Sequence, residues 1–512
     1  MRQGFRQSMA WLHTWAGLVT GWVMFAVFLT GTATYYRTDI SLWMRPELRA
    51  GSTDSVPAAE RGVAYLKAHA PRAMAWYVSV PQPDRPVIGV YWMDSLEAPL
   101  GQALLDVESG APTRARDTQG GDFFYRFHYE LQMMPTLGRW IVGAAALILF
   151  VALISGIVTH RRIFADFFTF RRDKSAQRGW LDAHNVTGVL ALPFHLMITY
   201  TGIVTLGVMY MPWGVSAAYK GDELRFYVEA AQTTTWRAGA GRPAEALPLA
   251  PLLARAQREV AEPLEMVIVN NPGDANATVV AVFEEPHGLA HQHPQVAFDA
   301  VSGAVVERVG TLKPAARVFT SFMGLHEAHF ASSALRALFF LCGLLGAATI
   351  ATGLVLWTVA RAPKAGEAPG FGLRLVRGLN IGTVLGLPIG MAAFFLGNRL
   401  LPVDLAHRAT WEGAVFFGAW ALAALVPLVR PHRRAWTEMG LAAGLLFGIV
   451  PVVGALTTDR GLDFLAFDAA MLGLGLALAL GARKVSHYEA RRQAAKAARP
   501  GPARVTEGLV EA

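Results

Sequence analysis

The chain has 512 residues, 53% of them hydrophobic and 16% charged, with a mean hydropathy of +0.33. Soluble domains carry about 25% charged residues, so this composition excludes an ordinary soluble protein and demands lipid-facing apolar surface. A single cysteine, Cys342, excludes an intrachain disulfide, a cysteine-ligated cluster and covalent haem attachment through CxxCH, and the formal charge of +8 lies in short segments between apolar runs, which points to a membrane and its lipid rather than to nucleic acid.

In chain order, residues 1–38 hold the first span, whose apolar run of 11–34 is long enough to stay as an anchor rather than be cleaved. Residues 39–138 are polar. They read as a small α+β unit: a helix at 57–70, then strands at 75–80, 87–92 and 102–107. Span 2 lies in 139–163 and is followed by a basic loop with Arg161, Arg162, Arg171, Arg172, Lys174 and Arg178. Span 3, one continuous helix over 181–210, lies in 180–212. A second α+β unit fills 213–333, with a helix at 249–260 and strands at 265–269, 278–283 and 295–298. Span 4 lies in 334–361, spans 5–8 in 375–482, and a basic tail in 483–512. The expected fold class is an α-helical polytopic membrane protein of about eight transmembrane helices with two small extracytoplasmic α+β domains. With eight spans every basic connection falls on one side, which places both termini in the cytoplasm and both polar regions outside a bacterial inner membrane.

Spans 1–4 are an internal duplication. His13 is followed by Gly17, and by Thr30 and Gly31 at offsets of 17 and 18; His184 is followed by Gly188, and by Thr201 and Gly202 at the same offsets. His128 precedes Ser155 and Gly156 by 27 and 28 residues, and His326 precedes Thr352 and Gly353 by 26 and 27. Both α+β units close on an acidic-then-glycine turn, Asp106 to Gly110 and Asp299 to Gly303. Each copy crosses twice, so the two copies share one orientation and are related by a pseudo-twofold axis along the membrane normal.

That axis brings His13 opposite His184 at one face and His128 opposite His326 at the other. Opposed imidazoles in a helical bundle suit six-coordinate haem iron. The alternative is a set of interfacial histidines kept by duplication alone. His195, eleven residues after His184 on the same expected helix, His160 at the end of span 2 and His329 just beyond His326 are further candidates for ligation or contact. For His195 the alternative is an interhelical hydrogen bond, and for His160 a snorkelling end-of-helix residue. Arginines at the cytoplasmic rim, beside His160, suit haem propionates. His287, His291 and His293 lie in a Pro-rich extracytoplasmic loop and look at first like a metal site, but a solvated, flexible loop is the favoured reading. Arg399, Asp404 and Arg408 line a site or solvate a short loop.

The segments Leu12-His13-x3-Gly17, Asp182-Ala183-His184-Asn185 with Thr201-Gly202, and Leu325-His326 resemble the PepSY-associated transmembrane helix family. The segments ending at Gly110 and Gly303 resemble its PepSY domains, and the runs Gly156 to Arg162 and Pro193 to Met197 its iron-uptake branch of inner-membrane ferric-siderophore reductases. The resemblance covers residues 1–361 and implies two b-type haems and electron transfer from the cytoplasmic side to a ferric siderophore or other ferric chelate; the donor, a quinol or a cytosolic flavoprotein, stays open. It assigns no role to spans 5–8. Two rivals stand beside this reading: a permease for a siderophore or other small solute, and a non-enzymatic sensor or assembly factor. Spans 1–4 are expected to lack buried carboxylates that could couple ions.

Overall fold

The computed structural model describes residues 4–49, 51–160, 175–231, 233–364, 367–459 and 463–497. Arg161, Arg162, Arg171, Arg172 and Lys174, and with them the propionate role foreseen beside His160, lie outside the described residues, as does the tail beyond 497. The chain divides into two compact units, Met1–Ala360 and Arg361–Ala512.

In the first unit, span 1 is a single helix, Phe5–Thr34, which packs against span 2 (Pro135–Thr159) and span 4 (Ser333–Ala360). Span 3 is not the continuous helix expected. It breaks into Ala176–Leu190 and Leu192–Thr205, bent by 68°. Pro193 in the first turn of the second segment supplies the cause, because its ring has no N–H and clashes with a straight helical continuation. His195 therefore does not lie on the same helix face as His184. Counting that bent pair as one span, eight helices among the described residues are long and apolar enough to cross a membrane; without it, seven.

The two polar regions are not separate either. Strands β1 (Ala75–Ser79), β2 (Ile88–Met93), β3 (Gly101–Leu105), β4 (Leu264–Asn270), β5 (Thr278–Phe283), β6 (Gln295–Asp299) and β7 (Val305–Val309) form one antiparallel sheet. Its order is β3-β2-β1-β4-β5-β6-β7. The first six are symmetric about the β1–β4 pairing, where Tyr77 lies opposite Ile268. Each unit alone would leave its first strand as an open edge; pairing those edges satisfies both rows of backbone groups. Helices Ser55–His69 and Leu249–Glu259 cover one face, with Leu66 and Leu253 fully buried against Val78, Val90, Phe283 and Phe298.

The foreseen acidic-glycine turns are present in both copies. The Asp106 carboxylate accepts from the backbone N–H and hydroxyl of Ser109 at 2.8 and 2.7 Å, and Asp299 accepts from the same groups of Ser302 at 2.8 and 2.9 Å. Gly110 and Gly303 take φ of +67° and +72°, which side chains with a Cβ resist. The serine hydrogen bonds hold both carboxyls below the usual aspartate range. A depressed folded-state pKa stabilises above the unfolded value and is lost as pH falls through the folded one. Asp106→Asn and Asp299→Asn are thus expected to destabilise the chain at pH 7, with the difference from wild type fading below about pH 3.8. Thermal unfolding at pH 7 and pH 3 checks this; an equal difference at both would refute it.

The second unit is built from Phe371–Val384 with Gly386–Leu400, Arg408–Val429, His432–Thr457 and Leu465–Ala497. Ile381, Leu385, Ile389, Ala435, Met439 and Ala443 form its apolar centre. Arg408 and Glu412 are both completely buried and paired one helical turn apart. Asn398 donates to the same Glu412 oxygen at 2.7 Å, and Arg399 donates to Asn398 Oδ1 at 3.1 Å. Arg399 and Arg408 therefore belong to a buried network rather than a solvated loop, while Asp404 is exposed.

Candidate functional site: two opposed histidine pairs

His13 lies on span 1 and His184 on the first segment of span 3, and their ring centroids are 6.0 Å apart. His128 comes from the short helix Asp122–Glu130 and His326 from Pro314–Glu327, with centroids 5.8 Å apart. Both pairings follow the symmetry read from the sequence. Two imidazoles bound to one metal at about 2.0 Å each would set their centroids about 6.4 Å apart, so a shared iron requires either pair to part by only about 0.4–0.6 Å.

The ring orientations are held from behind. Nδ1 of His13 lies 2.8 Å from the Ala152 carbonyl, Nδ1 of His184 2.8 Å from that of Thr349, and Nδ1 of His128 2.8 Å from that of Val27. A carbonyl only accepts, so Nδ1 carries a proton, and in the neutral ring Nε2 keeps its lone pair. His326 reaches the same state through Thr201. The threonine hydroxyl donates to the Met197 carbonyl at 2.8 Å, which leaves its oxygen to accept from His326 Nδ1 at 3.0 Å. A hydrogen bond of this kind behind a metal-binding histidine fixes tautomer and aim.

The duplicated glycines explain how the rings fit. A Cβ on Gly156 would lie 3.0 Å from His13 Cε1, one on Gly353 3.1 Å from His184 Cε1, and one on Gly202 2.8 Å from His326 Cε1. Gly31 meets His128 in the same way. Within each copy the histidine of one helix rests on the glycine of the other. The one-residue difference in spacing between the copies is absorbed in the turns after the outer histidines. Leu131 and Gln132 both have positive φ after His128, whereas Ala328 alone does after His326. His13 and Gly31 are separated along one continuous helix by about 27 Å at 1.5 Å per residue. The two pairs thus sit near opposite ends of a hydrocarbon core about 30 Å thick.

The remaining expected histidines divide. His195 is buried, edge-on to Phe28 at 6.2 Å, with Nε2 3.4 Å from the Cys342 carbonyl. Phe28 lies between His13 and Gly31 on span 1, so His195 sits between the pairs rather than in either. His160 Nε2 accepts from Asn185 Nδ2 at 2.9 Å. His329 points away from the outer pair to carboxylates, 3.3 Å from Glu285 and 3.4 Å from Glu327. One buried carboxylate, Asp182, does lie in these spans, against the expectation of none, and a second, Glu130, is buried just before span 2. Asp182 pairs with Arg178 at 3.3 Å and Glu130 with Arg139 at 2.6 Å.

A profile of the PepSY-associated TM region matches residues 10–360. The chain belongs to that family. The family region coincides with the unit that contains both histidine pairs and the shared sheet. The chain is also similar to "Uncharacterized protein PA4219" of Pseudomonas aeruginosa, 30% identical over 332 residues that cover 60% of this chain and 79% of that protein. As a PepSY-associated TM protein it is a multi-pass membrane protein, with its sheet built between the spans of each copy.

The sequence named the histidines but not what orients them. Recurrence of a small hydroxyl residue followed by glycine at matched offsets was the available signal for Thr201 and for the four glycines. Nothing in the sequence pointed to Glu265, Glu285 and Glu327 beside His291, His293 and His329, because those groups meet only through the fold.

Proposed function

We propose that the protein is a transmembrane electron carrier with two b-type haems, one held by His13 and His184 and the other by His128 and His326. It reduces the iron of a ferric siderophore or similar ferric chelate at the extracytoplasmic face, with electrons from a cytoplasmic-side quinol or flavoprotein. The proposal places it in a bacterial inner membrane with both termini inside. The observation that carries it is the pair of facing imidazoles at each end of the bundle, each with Nε2 left as the free donor.

Haem bound there would supply a one-electron couple in an apolar surround that sets its potential. The chain supplies the rest. Carbonyls of Ala152, Thr349 and Val27, and the Thr201 hydroxyl, hold the four rings in one tautomer and aimed. The glycines let each ring lie flush on a neighbouring helix. Reduction adds one electron to Fe(III), and the resulting Fe(II) binds hard oxygen chelators far less tightly, so it dissociates.

Full-length protein purified from haem-replete cells is expected to be red, with a dithionite-reducible low-spin spectrum. In proteoliposomes given an internal reductant it should generate Fe(II) from an external ferric chelate, read by a ferrous-specific chromophore. Colourless protein ends the proposal. Gly31→Val and Gly202→Val push against the outer rings without removing them, and haem retention should weaken by about 10–100-fold. Haem titration with unchanged far-ultraviolet circular dichroism is the measurement, and wild-type affinity in both variants would show that the glycines do not position the rings.

A further inference from the structure

We propose that Glu285, His291, His293, Glu327 and His329 form a binding site for a first-row divalent cation on the extracytoplasmic side. The donor atoms of Glu285, His291 and His293 all lie within 4.8 Å of one another, and so do those of His291, Glu327 and His329. His291 belongs to both groups. Glu265 adds a third carboxylate, 2.8 Å from His293 Nδ1. The rings of His291, His293 and His329 cluster, with centroids 5.4 Å apart from His291 to either neighbour.

These groups are not a solvated loop. Apart from the half-exposed His329, their side chains are between 17% and 30% exposed. The His291 backbone N–H donates to the Thr320 carbonyl at 3.1 Å, and a Cβ on Gly324 would collide with the Leu289 carbonyl. The loop is therefore clamped to the helix Pro314–Glu327 that presents Glu327. His293 leads directly into β6, and the left-handed residue Ala328 turns His329 back toward Glu285.

The carboxylates crowd the imidazoles: Glu285 Oε1 faces His291 Nδ1 and lies 3.5 Å from His293 Nε2, and Glu265 Oε2 lies 2.8 Å from His293 Nδ1. Glu285 Oε1 and His291 Nδ1 are shielded from solvent, and a cation bound in place of the imidazole protons would be held by carboxylate and imidazole together. A mixed imidazole and carboxylate set favours Zn(II), Fe(II), Mn(II) or Cu(II), whereas Mg(II) and Ca(II) prefer all-oxygen cages.

The site is adjacent in sequence to His326 but does not depend on the haem reading. The test uses full-length protein stripped with EDTA, titrated with ZnCl2 and assayed by isothermal calorimetry and metal analysis after dialysis. Wild type is expected to retain one more tightly bound Zn(II) per chain than His291→Ala/His293→Ala. Glu285→Gln should weaken that equivalent by about 100-fold. Millimolar Mg(II) should not displace it. Zn(II) should also raise the thermal midpoint of wild type and not of Glu285→Gln, which guards against a variant that merely misfolds. His128→Ala should leave the zinc equivalent in place whatever it does to haem, so the two proposals fail separately. Equal zinc retention in wild type and the double variant, or displacement by Mg(II), would overturn the assignment.

Discussion

On the two-haem proposal, alanine at His128 or His326 is expected to remove about half of the haem, and alanine at His13 or His184 the other half. The size of the effect follows from the geometry. Each pair offers two imidazoles whose Nδ1 protons are already committed behind the ring, so one truncation leaves a single imidazole donor and an apolar gap. His160, the imidazole beside His184, is already engaged through Nε2 by Asn185 Nδ2. His329 faces Glu285 and Glu327, and His195 is engaged by the Cys342 carbonyl. Pyridine haemochrome per chain, with the reduced spectrum, reads the outcome. The remaining haem should stay low-spin in every single variant, because the other pair lies about 27 Å away along span 1. Unchanged stoichiometry and spectra in all four variants would remove the ligand assignment.

The second large effect is expected in the unit Arg361–Ala512. Glu412→Ala should lower stability by about 3–5 kcal/mol, because it strands the fully buried Arg408 guanidinium without its carboxylate. The same change takes the acceptor from Asn398 Nδ2. Replacing both charges together, as Arg408→Met with Glu412→Leu, should recover much of the loss, since a well-packed apolar pair often matches or exceeds a buried ion pair. The midpoint of heat-induced aggregation in detergent distinguishes the cases. A midpoint of Glu412→Ala equal to wild type would mean that this network contributes little.

Much of the spanning architecture was legible because it depends on local composition. Apolar runs of about 20 residues mark helices whatever surrounds them. The expected runs at 140–159 and 411–429 reappear within Pro135–Thr159 and Arg408–Val429. Six of the seven strands alternate visibly and were placed to within a few residues, whereas β7 was not foreseen. The break in span 3 was harder to read. A proline near the start of an apolar run does not say whether the chain kinks or tilts, and the 68° bend depends on what the second segment packs against.

The two histidine pairings also came from the sequence, through the duplication: equal offsets to equal glycines imply a symmetry axis, and an axis forces equivalent residues to face each other. Tertiary structure alone decided the rest. It set the ring tautomers, since a carbonyl of another helix lies behind each imidazole, with the Thr201 hydroxyl beside that of Ile198 at His326. It joined β1 to β4, fusing two expected domains into one sheet. It turned a loop expected to be solvated into a half-buried cluster of imidazoles and carboxylates, and buried Arg408 with Glu412. The physical reason is common to these cases. Hydropathy and repeat spacing act along the chain, whereas hydrogen-bond partners and desolvation are fixed by whichever segments the fold brings within about 3 Å.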